Sequence, residues 1–380
     1  MLTSIRIQNF RSIRDAQVKL GQVNLFIGPN NSGKSNFLKG IEFTANGLAT
    51  KDNIKADAIH KVLNNNPLIF TEKDPYDVSR NIEKIYVKIS LLFDYKIPNI
   101  GITTSLNFSL RGELDYKTDF YPLNNDDNTW HNLSNIERAE LNSDSRNTAG
   151  IFLSDTVIYK PDPVRFTRNS QVFFMEKPSA DLDNIIAFLF NLSQNHIGLF
   201  NRLNNDFAKC VGTLNRVSTP AEKSERGFIK LRFFDKYETP YDSEDVSEGV
   251  LYFLALLCII HQPNPPKLLL LEEPEKGIHP RRIREVMNFI FELARLRDIQ
   301  IILTSHSPYV VDHFADIPEC ISVFDRKDGE TVIHNAADII AETNAKLEAT
   351  GEEPIHYTDA LGEYWVSGFL GGVPEILIGN

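Results

Sequence analysis

The sequence predicts an α/β protein built on a mixed, mainly parallel sheet. Three observations carry that prediction. From residue 228 onward, short apolar runs alternate with amphipathic stretches, the pattern of βαβ units whose strands are buried on both faces. Residues 21–27 form an apolar run that enters a glycine-containing turn and then a helical stretch, a strand–loop–helix unit. Two later apolar strands end on charged or imidazole side chains, which puts chemistry at the carboxyl edge of a sheet, where open α/β folds bind ligands.

Taken in order, residues 2–10 alternate weakly and 21–27 are apolar, so the chain opens with strands, and 36–43 read as a helix. A β-rich insertion is expected over 50–150. Within it, 82–97 read as a strand, with Ile85, Val87, Ile89 and Leu91 alternating with Tyr86, Lys88 and Ser90, and 106–116 alternate again. Together they predict an inserted antiparallel β subdomain. Residues 124–148 are rich in Asn, Asp and Ser, with Trp130 as the one anchor, which marks a surface loop or a disordered insertion.

Strand-like stretches at 156–159 and 171–174 precede a helical subdomain over 178–225. Its apolar residues Ile185, Leu189, Leu192, Leu199, Leu203, Phe207, Cys210 and Leu214 recur three or four apart, except around His196, which is helical periodicity. A projecting arm that meets a partner would show it, and so would a subdomain packed on its own sheet. Gly198 and Gly212 interrupt the pattern and favour the packed form. The core over 226–335 then reads as strand 228–234, helix 249–260, strand 267–271, helix 280–297, strand 300–304, helix 308–314 and strand 320–325. The tail, 336–380, is glycine-rich and aromatic over 361–374, equally suited to a partner interface and to a segment tucked against the core.

The composition narrows the class. With 42% hydrophobic and 24% charged residues, the 380-residue chain is neither disordered nor collagen-like. Its net charge of −11, from 40 Lys+Arg against 51 Asp+Glu, repels a phosphate backbone, so nucleic-acid contact would need a local basic patch. The separated cysteines Cys210, Cys258 and Cys320 form no C-x-x-C, which argues against a disulfide framework or zinc knuckle and for a reducing cytoplasm. The longest apolar run, 250–260, falls short of the roughly 20 residues of a membrane span, so no membrane association is expected.

Gly28-Pro29-Asn30-Asn31-Ser32-Gly33-Lys34-Ser35 fits G-x-x-x-x-G-K-S between a strand and a helix. Glycines let successive N–H groups face phosphate oxygens, Lys34 reaches the β and γ phosphates, and the Ser35 hydroxyl ligates Mg²⁺. The run Lys267-Leu-Leu-Leu-Leu-Glu272-Glu273-Pro274-Glu275 delivers adjacent carboxylates to the sheet edge, Glu272 to hold Mg²⁺ and Glu273 to orient and deprotonate water. The strand 301–304 leads to His306, which a parallel neighbour would place beside Glu273, in reach of a γ-phosphate. Asp245-Val246-Ser247-Glu248-Gly249 precedes an apolar helix. Ser247 is either a plain N-cap or part of a helix N-terminus that binds a γ-phosphate presented by another subunit.

In that order, these motifs resemble the ABC-type ATPases of the SMC, RecF and OLD group. The opening Ile7-Gln-Asn-Phe10-Arg11-Ser12-Ile13, the run from Phe26 to Asn36, and Glu272-Glu-Pro-Glu-Lys-Gly-Ile-His279-Pro280 look like that group, the last like its OLD branch. The resemblance implies a P-loop NTPase head in which Gly28, Asn30, Asn31, Ser32, Gly33, Lys34, Ser35 and Asn36 form Walker A. Glu272 is then the Walker B acid, Glu273 the catalytic base, Ser247 and Gly249 signature residues, and His306 the switch histidine; Arg11 lies near the nucleotide. It also implies a homodimer or higher homo-oligomer in which each ATP site joins one chain's P-loop to the other's signature. Glu272 stands where most heads carry Asp, Val246 replaces the usual Leu, and Gln171 is the candidate for the Q-loop glutamine. No heptad run suits SMC-type arms, and the stretch after His306 is too short for the Toprim nuclease of OLD proteins. The resemblance therefore favours a stand-alone ATPase of bacterial anti-phage defence that controls a separate effector protein, a nuclease or toxin. A RecF-like DNA clamp is the alternative.

Overall fold

The computed structural model describes residues 1–49, 86–93, 100–109, 114–122, 151–223, 225–276, 278–351, 353–354 and 360–373. The Asn-rich stretch 124–148, with Trp130, lies outside them. Two sheets face each other across one helix. The first has the order β2-β1-β4-β5-β6 and is antiparallel throughout: β1 (Leu2–Phe10), β2 (Ile13–Lys19), β4 (Tyr86–Phe93), β5 (Ile100–Ser109) and β6 (Leu114–Pro122). The second has the order β16-β15-β3-β14-β13-β7: β3 (Val23–Ile27), β7 (Ile158–Tyr159), β13 (Leu268–Glu272), β14 (Gln300–Thr304), β15 (Ile321–Lys327) and β16 (Glu330–Asn335). Its strands are parallel except for β16.

Helix α1 (Lys34–Ala49) lies between the sheets, and period-2 alternation explains why. Phe26, Leu268, Leu270, Ile302 and Phe324 point to the α1 side and join Phe37, Leu38, Ile41, Ile5 and Ile7 in one core. Their intervening neighbours Leu25, Leu269, Leu271, Ile301, Leu303 and Val323 point the other way. Rings of Phe26 and Phe324 meet at 4.9 Å, and Phe37 closes the cluster edge-on at 5.6 and 5.8 Å, contacts worth about 0.5–1.5 kcal/mol each beyond area burial. Gly40 lets β1 come close: a Cβ there would sit 2.6 Å from Ile7 Cδ1.

On the opposite face pack α4 (Glu248–Ile260) and α5 (Pro280–Arg297). All of α4 from Gly249 to Ile260 is buried, so it is an internal helix, apolar all round. Among the described residues no helix is long and apolar enough to cross a membrane.

Several expectations change in detail. The strand expected at 106–116 is the end of β5 and the start of β6, two antiparallel strands. With β4 they extend the β1–β2 sheet. The helical subdomain is α2 (Ile185–Asn195) and α3 (Ile197–Val211), broken at His196 (φ −134°, ψ 51°) while Gly198 stays helical. Leu189, Leu192, Leu203 and Phe207 are fully buried in the common core, the packed form of the two considered. The stretch 228–234 splits into β10 (Phe228–Ile229), paired with β8 (Ser170–Gln171), and β11 (Arg232–Phe234), paired with β9 (Arg216–Ser218) and β12 (Pro240–Asp242).

After β16 come α7 (Ala336–Thr350) and α8 (Leu361–Val366). In the tail Leu361, Trp365 and Leu370 are buried, the tucked alternative. α8 packs on α6 (Pro308–Asp312) so closely that a Cβ on Gly362 would meet Pro308 O at 2.3 Å, and Gly362 N donates to Asp312 Oδ1 at 2.8 Å.

Candidate functional site

The carboxyl ends of β3, β13 and β14 open on a cleft of about 660 Å³ lined by Arg11, Ser12, residues 30–36, Glu272, Glu273, Thr304, His306 and Arg326. Two glycines shape its floor. Gly28 has φ +143°, and a Cβ there would fall 2.1 Å from Phe324 O; Gly33 has φ +110°, and its Cβ would strike Thr331 Oγ1 at 2.1 Å. Both need the left-handed freedom only glycine has, and both need close approach. A second wall stands behind Gly28: a Cβ on Gly372 would lie 2.7 Å from Val323 Cγ1 and 3.4 Å from Gly28 Cα.

Lys34 opens α1 with its ammonium folded back, donating to Gly28 O at 2.7 Å and Pro29 O at 2.9 Å. Burial pulls its pKa down to about 8, against the opposing pull of Glu273 and Glu272. Ser35 Oγ donates to Glu272 Oε1 at 2.5 Å, a contact spanning 237 positions. The other Glu272 oxygen pairs with the Lys160 ammonium. Ser32 is buried, and its Oγ has no hydrogen-bond partner among the described residues.

Glu273 takes a left-handed backbone (φ 50°), a conformation uncommon and costly for a non-glycine residue. Its N–H is held by Thr304 O at 3.1 Å and Thr304 Oγ1 at 3.2 Å. His306 Nε2 lies 3.6 Å from Glu273 Oε1. Burial, then the nearby Lys34, lower the His306 pKa, while Glu273 works against them. Behind this pair, Glu275 Oε1 accepts from Ser305 Oγ at 2.6 Å and from His306 N at 3.1 Å. Burial pushes the Glu275 carboxyl up.

The β1–β2 turn closes one side. Arg11 (φ 56°) donates to Asn36 Oδ1 at 3.3 Å, Asn36 donates to Ser12 Oγ at 2.8 Å, and Ser12 and Thr331 share a hydrogen bond of 2.9 Å. Burial lowers the Arg11 pKa, and its Nε has no hydrogen-bond partner among the described residues.

The structure thus gathers the P-loop, Asn36, Arg11, Glu272, Glu273 and His306. Ser247 and Gly249 do not line the cleft; Ser247 caps α4 without a side-chain cap bond and receives Arg282 Nη1 at 3.4 Å. Gln171 is an exposed residue of β8 paired to Phe228, so it is not the glutamine expected at the site. The side chain that the strand beside β13 delivers to Glu272 is Lys160, just after β7. Lys160, Glu275, Thr304, Arg326 and Thr331 escaped the sequence reading, although Glu275 stood within the same acidic run.

Ser35 and Glu272 offer two hard oxygens side by side. Among the described residues no group of three His, Cys, Asp or Glu side chains could hold a metal. The pair fits Mg²⁺ bound in its usual way, by one carboxylate and a hydroxyl with nucleotide phosphates completing the shell.

A family model described as "AAA domain, putative AbiEii toxin, Type IV TA system" matches residues 23–312, well over half of the chain. The chain belongs to this AAA family. Its fold is that of a P-loop NTPase head of the ABC and SMC type. The SMC head domain from Thermotoga maritima superposes with a TM-score of 0.50 at 14% identity, over 88% of this chain and 98% of that one. The Smc head domain of Pyrococcus furiosus, bound to the C-terminal domain of ScpA, gives 0.50 at 12% identity, over 91% and 99%. Among curated proteins, the energy-coupling factor transporter ATP-binding protein EcfA2 of Clostridium perfringens is 31% identical over 78 residues, 20% of this chain and 26% of that protein. The match spans about a quarter of that relative's length.

Proposed function

We propose that this AAA-family chain binds and hydrolyses ATP, works as a homodimer or higher homo-oligomer through shared ATP sites, and gates a separate effector protein in bacterial anti-phage defence. One observation carries the catalytic part: Ser35, Glu272, Glu273 and His306 converge on the cleft that the P-loop floors. Lys34 leaves the Gly28 and Pro29 carbonyls for the β and γ phosphates. Ser35 and Glu272 would hold Mg²⁺, which when bound would supply positive charge against the phosphates. Glu273 takes the proton of the attacking water, a role worth about 10²–10⁴-fold, and neutral His306 contacts the γ-phosphate.

Ser247 and Gly249, outside the cleft of their own chain, serve the nucleotide of a second copy. The family description, with its toxin of a type IV toxin–antitoxin system, is compatible with control of a separate effector, and the −11 charge suits a basic protein partner in the cytoplasm. Phosphate release with and without duplex DNA, across a salt series, tests this reading. ATP turnover insensitive to DNA is expected. Stimulation that falls steeply with salt would instead support a DNA clamp, and no turnover in any state would refute the ATPase reading.

A further inference from the structure

We propose that Lys160 is a displaceable countercharge on Glu272, a positioning residue that keeps a divalent cation off this carboxylate until nucleotide arrives. The inference rests on the nucleotide-site reading above. β7 runs parallel to β13 with Tyr159 opposite Leu271, so the next residues, Lys160 just past β7 and Glu272 at the end of β13, come side by side. The two Glu272 oxygens differ in how they are engaged: Oε1 accepts a hydrogen bond from the Ser35 hydroxyl at 2.5 Å, and Oε2 makes an ion pair with the Lys160 ammonium outside hydrogen-bond geometry.

The two partners differ in mobility. The Glu272 side chain is 12% exposed and that of Lys160 is 54% exposed, so the lysine can swing to solvent while the carboxylate stays. The lysine also stands outside the residues that line the cleft, approaching Glu272 from its flank. Lys39 on α1 feels both Arg11 and Lys160 as repelling charges, so three cations border this side of the site.

Two effects of Lys160 oppose each other. It fixes the extra torsion that Glu272 has over an Asp, and freezing one side-chain torsion is worth only a few-fold in affinity. It also repels an incoming dication a few ångströms away, which is worth on the order of tenfold even at water-like dielectric. Repulsion wins. Mg²⁺ therefore meets a neutralised carboxylate in the nucleotide-free chain, and gains the site only when phosphates add ligands and negative charge.

The test uses Mn²⁺ as probe and the full chain, with Lys160→Met, which keeps an unbranched apolar stem, Lys160→Gln as a second neutral variant, and Lys160→Arg as the charge-preserving one. Free Mn²⁺ is counted by electron paramagnetic resonance without nucleotide, and ATPγS binding is measured in parallel. Lys160→Met and Lys160→Gln should bind Mn²⁺ on the order of tenfold more tightly than wild type, and Lys160→Arg should match wild type. Neutral variants that bind Mn²⁺ no more tightly, or an Arg variant that tightens equally, overturn the inference even where ATPγS binds normally. ATPγS that binds no protein of the set overturns the nucleotide reading itself.

Discussion

His306 Nε2 stands 3.6 Å from Glu273 Oε1 across the gap between the ends of β14 and β13. The contact joins a depressed imidazole to a carboxylate held on a left-handed backbone. A neutral imidazole leaves the Glu273 oxygen open to a water molecule, whereas an imidazolium would occupy it as an ion pair.

Glu273→Gln keeps the size and hydrogen-bonding reach of the side chain and removes the carboxylate. ATP binding should persist while phosphate release falls by about 10²–10⁴-fold, and the protein should accumulate as a closed dimer with ATP. Size-exclusion chromatography with light scattering reads the dimer, and wild-type turnover in this variant would show that the base lies elsewhere.

Glu275 holds Ser305 and the His306 backbone with a single oxygen. Glu275→Ala should lower kcat by up to about 10²-fold through misplacement of the turn with a smaller change in KM. Glu275→Gln, whose carbonyl can still accept from Ser305 and His306, should recover much of the loss. Equal defects in both would make the residue a matter of stability alone.

Gly28→Ala puts a methyl 2.1 Å from a backbone oxygen, Phe324 O, at φ +143°. That oxygen is backbone and cannot rotate away. The substitution should cost about 1–3 kcal/mol or more and abolish nucleotide binding, read by chemical denaturation and by ATPγS titration. Gly212→Ala, with open space around it, should leave nucleotide binding intact.

His261 is 2% exposed; burial, then Arg297, lower its pKa below the ordinary 6.5, against the pull of Asp206 3.0 Å away. The unfolded chain then binds the proton more readily than the folded one. The stability this gives is present above the unfolded value of 6.5 and lost as pH falls through and below it. The nucleotide-free protein should melt progressively lower on acidification, and His261→Gln should flatten part of that decline. His306 and His313 shift in the same direction and account for more of it. A melting curve flat between about pH 7 and about pH 5 would contradict all three.

Where local signals agree, the fold was legible. Helix α5 and strand β14 fall on the expected residues because Pro280 opens the helix at its first turn and Asp298, left-handed at φ 51°, closes it. The P-loop, the acidic pair and His306 were legible because each follows an apolar strand. Lys160 was not, since a two-residue strand carries no period. Thr331 was hidden for another reason: its bond to Ser12 spans 319 positions, and only the sheet order brings β16 beside the β1–β2 turn. Gln171 failed because its segment pairs with β10 instead of entering the parallel sheet.

Gly372 and Gly362 give the tail two grips, one on the wall behind Gly28 and one on Pro308, two residues past His306. The loop proposed to cradle phosphate and the turn that carries His306 are therefore braced by the same short stretch of chain. Loosening that brace would slacken both ends of the reaction at once, without touching any side chain that meets the nucleotide.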